Sequence, residues 1–207
     1  MRHLLWLAAL VASCLLAACV SVGVGNASAP HTYYLLHDTA ASATRRAEPL
    51  VSALLLQPLP ASALAETVSI PYARRANEFA FYQFASWTER PVRMVQRMLR
   101  QRLEARGVAA AVGLIGDPLR ADWLLTFAIE TLHHDVATPP GTARFALTVE
   151  LFDRRSRTRV ARRQFEATAP TANADSAAAA DALSQAITRV LDVLPPWLES
   201  ELQRAGS

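Results

Sequence analysis

The chain has 207 residues, which suits one domain with a substantial core and a short additional segment. Its net charge of +3 is mild, and although all 21 basic residues are arginine, this balance does not indicate a nucleic-acid surface. The two cysteines, Cys14 and Cys19, are too few for a cysteine zinc cluster or a disulfide framework.

The start of the chain predicts a lipoprotein signal. A basic start precedes a short apolar run from Leu4 to Ala18, and small residues stand directly before Cys19. The run is shorter than the roughly 18 apolar residues that a membrane-spanning helix needs. The sequence Leu-Ala-Ala-Cys that ends at Cys19 has the form of a lipobox, in which the cysteine thiol takes a diacylglycerol. We therefore predict a signal peptide over residues 1–18, cleavage between Ala18 and Cys19, and acyl chains on Cys19 that anchor the protein.

The residues around the lipobox refine this prediction. A second, weaker box ends at Cys14, but it would leave a shorter apolar core, so Cys19 is favoured. Val20 stands where an aspartate would signal retention in the inner membrane, which favours the outer membrane. Residues 19–31 are small and polar and predict a flexible tether.

The first half of the domain predicts four short strands, because aromatic and aliphatic residues alternate or cluster between turn residues. They are Thr32–Leu36, Val51–Leu56, Thr67–Ile70 and Glu78–Phe84. Residues 38–49 predict a loop, Pro58 and Pro60 end the second strand, and residues 72–77 predict a connection.

A first amphipathic helix follows. Thr88 is the predicted N-cap, Glu89 lies in the first turn, and Pro91 is acceptable that early in a helix. Gly107 marks the end of the helix. Four apolar residues recur on one face at helical spacing: Val92, Val95, Leu99 and Leu103.

The helix also carries a basic stripe, formed by Arg90, Arg93, Arg97 and Arg100. One interpretation is contact with anionic lipid headgroups or an acidic partner, and the other is a solvated face shared with Glu104. Trp87, just before the helix, is either a binding aromatic or a packing residue at the joint between strand and helix. The candidate contact residues for a partner or lipid are Trp87, Arg90, Arg93 and Arg97.

The second half predicts further strands and a second helix. Residues 108–115 are a strand or a loop, and the strands after them are Ala121–His133, Ala143–Asp153 and Thr158–Thr168, the last near a sheet edge. Asp175 or Ser176 caps a long helix that Pro195 and Pro196 stop. Residues 197–203 predict a separate short helix.

Together these elements predict an α+β fold. About six strands form a mixed β-sheet, and two long amphipathic helices cover it in a two-layer sandwich. The predicted domain spans residues 32–203 and is followed by a tail over residues 204–207.

The sequence shows little chemistry. No nucleophile elbow, phosphate-binding loop or zinc-protease motif is present, so an enzyme is not predicted. His133 and His134 are adjacent, and neighbours on a strand point to opposite faces, so they do not predict a shared metal site. Glu199 and Glu201 predict a solvated polar face. The covalent lipid on Cys19 is the only non-protein group expected.

Five segments carry a family resemblance: Tyr34-Leu35-Leu36, Leu54-Leu55-Leu56-Gln57-Pro58, Ile70-Pro71-Tyr72-Ala73-Arg74-Arg75, Phe79-Ala80-Phe81-Tyr82 and Trp87-Thr88-Glu89-Arg90-Pro91. The last of these leads into Met94, Leu99 and Leu103. With these segments and its lipobox, the chain resembles the ABC-type transport auxiliary lipoprotein family. That family accompanies MCE-type lipid transport systems, including the paraquat-inducible Pqi system.

The resemblance implies a lipid-anchored, periplasm-facing protein of the outer membrane. Its implied partners are an MCE-domain protein with an inner-membrane permease and ATPase, with phospholipid as a candidate ligand. Such a subunit would assist the movement of phospholipid or other hydrophobic molecules between the membranes by anchoring and docking. The alternative is an outer-membrane assembly or envelope-scaffolding lipoprotein of similar fold.

Overall fold

The computed structural model describes residues 30–40 and 44–206. The predicted signal peptide, Cys19 and most of the tether lie outside the described residues. The described residues form eight strands and two helices, with a short 3₁₀ turn at Ala63–Ala65. The strands are β1 (Thr32–Tyr34), β2 (Val51–Pro58), β3 (Ser69–Arg75), β4 (Glu78–Trp87), β5 (Ala109–Leu114), β6 (Trp123–Asp135), β7 (Thr142–Asp153) and β8 (Thr158–Pro170), and the helices are α1 (Pro91–Arg106) and α2 (Ser176–Ala205).

Strand β6 lies at the centre of one mixed sheet. One of its edges pairs with antiparallel β7 along most of its length. The other edge is shared by two parallel strands, β2 at residues 123–127 and β3 at residues 134–135. Strand β5 extends the sheet beyond β2, while β4 and then β1 extend it beyond β3. Within the described chain β8 pairs with β7 alone, so it is an edge strand, as its polar sequence predicts.

The two helices cover one face of this sheet. Alternate residues of β2 show this, because Leu54 and Leu56 join the main core with both helices. Ala53 and Leu55 point the other way and belong to a small separate cluster with Ala121. The predicted α+β class with a mixed sheet is therefore confirmed, and the helices lie on a single side.

The sheet has more strands than the six or so expected. The segment left open as a strand or a loop is strand β5, which pairs in parallel with β2. The predicted connection over residues 72–77 is wrong, because β3 continues through Pro71 to Arg75 and only Ala76 and Asn77 form the turn. Pro71 lies beside a register shift in the pairing of β3 with β4, and such irregularities are where strands accommodate proline.

Helix α1 begins later than its capping pattern suggested. Thr88 is not the N-cap, because its N–H donates to the carbonyl oxygen of Tyr34 and thereby ties the approach to α1 onto β1. Arg90 takes the N-cap position without a side-chain cap, and Pro91 is the first helical residue. At the other end Gly107 adopts a left-handed conformation with φ of 69°, as predicted for a glycine that ends a helix.

Helix α2 does not stop at its two prolines. It runs for 30 residues through Pro195 and Pro196, so the prediction of a separate helix over residues 197–203 is wrong. Each proline inside a helix lowers the stability of that helix by about 3 kcal/mol. Burial of Trp197, Leu198 and Leu202 offsets this cost, since a buried large apolar side chain stabilises by about 1.5–3 kcal/mol. No helix among the described residues is both long enough and apolar enough to cross a membrane.

The helix-on-sheet core makes a stability prediction. Leu99 is fully buried between α1 and the sheet, and we expect Leu99→Ala to lower the free energy of unfolding by about 2–5 kcal/mol through lost contacts and a residual cavity. Leu35 is 52% exposed and is the matched control, so Leu35→Ala should change the value by less than about 0.5 kcal/mol. Urea unfolding of the mature protein followed by circular dichroism measures both, and equal losses would contradict this packing.

Candidate functional site

Trp87 is not a surface aromatic. Its side chain is only 1% exposed and lies in the main core, where β4 ends and the approach to α1 begins. Its indole Nε1 has no hydrogen-bond partner among the described residues. The ring is therefore unavailable to a partner or a lipid, and the packing interpretation of Trp87 is the correct one.

The basic stripe of α1 is largely neutralised by carboxylates. Arg97 pairs with Glu89 at 2.6 Å and Arg100 pairs with Glu104 at 2.8 Å, while Arg90 lies 4.0 Å from Glu66. These pairs are solvent-exposed, so each contributes little to stability. The stripe as a whole is thus a solvated face with its own counter-charges.

Arg93 is the exception within this stripe. It is exposed and has no ion-pair partner among the described residues. Its side chain borders an open groove of about 430 Å³ between α1 and the end of β2. Arg90 lies on the same groove, whose floor includes Leu56 and Ile115. Of the predicted basic contacts, Arg93 is thus the one left available to an anionic partner.

The histidine pair divides between the two faces of β6. His134 is fully buried on the helix side, where it contacts Tyr82, whereas His133 lies on the opposite face against the ring of Phe79. This separation is the one predicted for adjacent strand residues. The described residues contain no group of three or more histidine, cysteine, aspartate or glutamate side chains placed to hold a metal ion.

His134 is held by a complete hydrogen-bond network. Its Nε2 lies 3.1 Å from the carbonyl oxygen of Pro140 and 3.0 Å from the hydroxyl of Thr171. Because that carbonyl can only accept, Nε2 carries the proton and Nδ1 accepts from the Tyr82 hydroxyl at 2.7 Å. Burial raises the pKa of Tyr82 to about 12, which keeps this donor protonated. A Cβ at Gly141 would collide with Nε2, so the turn must carry glycine at this point.

Two acidic residues assigned to a solvated face are instead buried and paired. Glu199 accepts hydrogen bonds from Arg106 of α1 and also pairs with Arg46, and Glu201 pairs with Arg204. Both glutamates are only 9% exposed. Glu199 thus joins α2 to α1 and to the segment before β2, which is a structural role, whereas Glu201 pairs within α2.

One group of exposed apolar residues was not anticipated from the sequence. Phe79, Phe81 and Phe84 are 44%, 46% and 49% exposed, although they all belong to one strand, β4. We call these three residues the phenylalanine patch. Three exposed aromatic rings on one strand make this part of β4 a candidate binding surface. The alternating aromatics predicted a strand, but periodicity could not show that no helix covers this end of it.

The backbone of β4 is also irregular beside this patch. From Ser69 to Pro71 strand β3 advances two residues, while β4 advances five, from Phe81 to Ser86. Phe84 lies in this bulge with φ of 56°, an unusual conformation for a bulky residue. Strand β1 pairs with β4 only at residues 85–87, so no described strand pairs with the outer edge of residues 78–84.

A groove adjoins the patch on the helix side. It has a volume of about 780 Å³ and is lined by residues of three neighbouring segments. The hairpin supplies Tyr72, Arg74 and Phe81, the turn before β7 supplies Pro139, and the loop before α2 supplies Ala174. The guanidinium of Arg74 lies 5.1 Å from the ring centroid of Tyr72. The groove therefore combines aromatic rings with one exposed cation.

The structure defines an α+β domain in which two helices cover one face of a mixed sheet. The chain matches the family described as ABC-type transport auxiliary lipoprotein component over residues 34–194. It belongs to that family, which is a family of transport accessory lipoproteins and not of enzymes.

Solved structures share this fold. A Xanthomonas campestris protein of the DUF330 family has 25% sequence identity and a TM-score of 0.75, and the match covers 84% of this chain and 98% of that one. A second, uncharacterized protein has 13% identity and a TM-score of 0.63 over 82% of this chain and 99% of its own, which shows the fold alone. No curated protein sequence matches the chain.

The buried histidine makes a pH prediction. Burial lowers the pKa of His134 below its usual 6.5, against the opposing effect of its bond to Pro140, and burial likewise lowers the pKa of His133. The unfolded chain therefore binds more protons than the folded chain as the pH falls below about 6.5. The contribution of the neutral histidines to stability is fully present above that pH. We expect the free energy of unfolding to decline as the pH is lowered through 6.5.

His134→Gln isolates this effect, because glutamine does not titrate there. We expect the variant to have a shallower pH dependence, with a remaining slope from His133. Urea unfolding at a series of pH values measures it. An unchanged slope in His134→Gln would contradict the assignment.

Proposed function

We propose that this chain is a lipid-anchored, periplasm-facing accessory subunit of an MCE-type ABC transport system at the outer membrane. The match of residues 34–194 to the transport auxiliary lipoprotein family is the observation that carries the proposal. The lipobox at Cys19 supports the anchor, and the valine after it supports the outer membrane. The system would move phospholipid or other hydrophobic molecules between the inner and outer membranes.

The work of the chain in such a system is anchoring and docking. Acyl chains on Cys19 fix it to the membrane, and the tether sets the distance that the domain can reach. The domain then offers an MCE-domain protein the groove beside Arg93. The inner-membrane permease and ATPase supply the energy, and this chain contributes no bond chemistry.

The anchor is tested by lipid labelling in cells. We expect Cys19→Ala to abolish incorporation of labelled palmitate and to release or mislocalise the protein, since the only mature thiol is lost. Cys14→Ala is the matched control and should still be labelled, because Cys14 leaves with the signal peptide. Loss of label in Cys14→Ala but not in Cys19→Ala would show that the upstream box is used.

The partners are tested by affinity purification of the full-length lipoprotein from crosslinked membranes, followed by mass spectrometry. We expect to recover an MCE-domain protein with its permease and ATPase. The Cys19→Ala chain serves as the control, because an unanchored protein should recover much less of them. Recovery of a β-barrel or cell-wall protein without any MCE component would refute the transport proposal and favour envelope scaffolding.

A further inference from the structure

The phenylalanine patch lies at the end of the domain where the tether arrives. Strands β1 and β4 are parallel, and Thr32 pairs with Ala85. Residues 78–84 of β4 therefore extend past the start of β1, on the side from which the chain enters. The exposed rings of Phe79, Phe81 and Phe84 are thus at the end that receives the segment leading from Cys19.

The tether is short enough to keep this end near a membrane. Cys19 to Pro30 is a segment of twelve residues. Such a segment spans at most about 40 Å when fully extended, and about 20 Å on average as a flexible coil. On the proposed lipid anchor, the patch is held within that distance of the bilayer that carries the acyl chains.

The loops at the same end carry no charge. The turn between β6 and β7, residues 136–141, reads Val-Ala-Thr-Pro-Pro-Gly, and the segment before α2, residues 171–174, reads Thr-Ala-Asn-Ala. Most of these residues are exposed. The opposite end of the sheet differs, because the turn between β7 and β8 reads Asp-Arg-Arg-Ser-Arg over residues 153–157. The two loops at the end toward the tether are therefore uncharged, whereas the turn between β7 and β8 is rich in arginine.

The charges that remain near the patch suit lipid phosphate. Glu78 pairs with Arg75 at 3.6 Å, and Asp135 pairs with Arg144 at 2.8 Å, so these carboxylates have cationic partners. The side chain of Asp175 accepts from the N–H of Ala178 as the cap of α2. Arg74 is exposed and has no carboxylate partner among the described residues, which leaves a cation at the rim of the groove.

We propose that the phenylalanine patch and the two uncharged loops rest on a phospholipid bilayer, in the leaflet that holds the lipid of Cys19. The phenyl rings enter the interfacial region, where exposed aromatic side chains are favourable, and Arg74 binds a lipid phosphate. This inference rests on the lipid anchor of the proposed function. It gives the domain a fixed orientation, with the arginine-rich turn between β7 and β8 directed away from the membrane.

Site-specific fluorescence tests the contact in the mature lipoprotein. Cys14 leaves with the signal and Cys19 is lipidated, so a cysteine introduced at Phe81 is the only free thiol. Phe81→Cys is labelled with an environment-sensitive dye and reconstituted into phosphatidylethanolamine–phosphatidylglycerol vesicles that contain brominated lipid. Arg155→Cys, in the turn at the opposite end, is the matched control. We expect brominated lipid to quench the dye at residue 81 several times more strongly than the dye at residue 155.

Other outcomes would overturn the contact. Equal quenching at both positions would show that the patch does not meet lipid. A dye at residue 81 that is shielded from water but not quenched would show that a protein strand covers the free edge of β4 instead. Adding Phe79→Ser and Phe84→Ser should reduce the quenching, whereas Val160→Ser with Val193→Ser, exposed apolar residues elsewhere, should not. Unchanged quenching after Phe79→Ser and Phe84→Ser would also refute the contact between the phenylalanine patch and lipid.

The anchor and the contact can fail separately in this experiment. The mass of the N-terminal lipopeptide from the same preparation reports the anchor. A lipidated chain with an unquenched dye refutes the contact alone. A chain without lipid whose dye is still quenched by vesicles refutes the anchor and supports the contact, and a chain that shows neither refutes both.

Discussion

The register of β6 is the constraint on which the rest of the domain depends. One edge of β6 serves two partners, β2 at its start and β3 at its end. The segment between β2 and the 3₁₀ turn fills the gap, because the N–H groups of Leu59 and Ser62 donate to the carbonyl oxygens of Phe127 and Ile129. A bulge between Ile129 and Thr131 then lets Ile129 and Leu132, three residues apart, both reach the core. A slip of one residue would turn His134 out of its network and reverse every side chain of the strand.

The helices cover only one face of the sheet, and this determines where binding surfaces can occur. Both helices pack their apolar stripes against the same face of the sheet. Ion pairs such as Arg106 with Glu199 connect the two helices. Phe79 lies on the other face, against His133, and the outer edge of residues 78–84 pairs with no described strand. Aromatic residues of β4 therefore remain exposed there.

Much of the fold could be predicted from local patterns, and the exceptions have physical reasons. The alternation in β6, β7 and β8, the cap at Asp175 and the stop at Gly107 are local signals, and the structure has them all. The continuation of α2 through Pro195 is decided by tertiary packing of residues such as Trp197 against Phe165, which a proline rule does not include. Trp87 and the phenylalanine patch also could not be assigned from sequence. Whether an aromatic residue is buried or exposed depends on which other elements pack over it.

The attachment of β1 has a mechanical consequence. On the proposed lipid anchor, a pull on the chain before β1 would load the three residues of β1 along the strand, where they are held chiefly by backbone bonds to β4. The next segment is fastened elsewhere, since Leu36 is buried, Asp38 binds Arg102 of α1, and Thr39 bonds to Thr188 of α2. Tension from a moving membrane would therefore detach β1 first and then pass to the two helices. The segment after β1 would thus carry the load to the helices and keep it from separating the strands beyond β1.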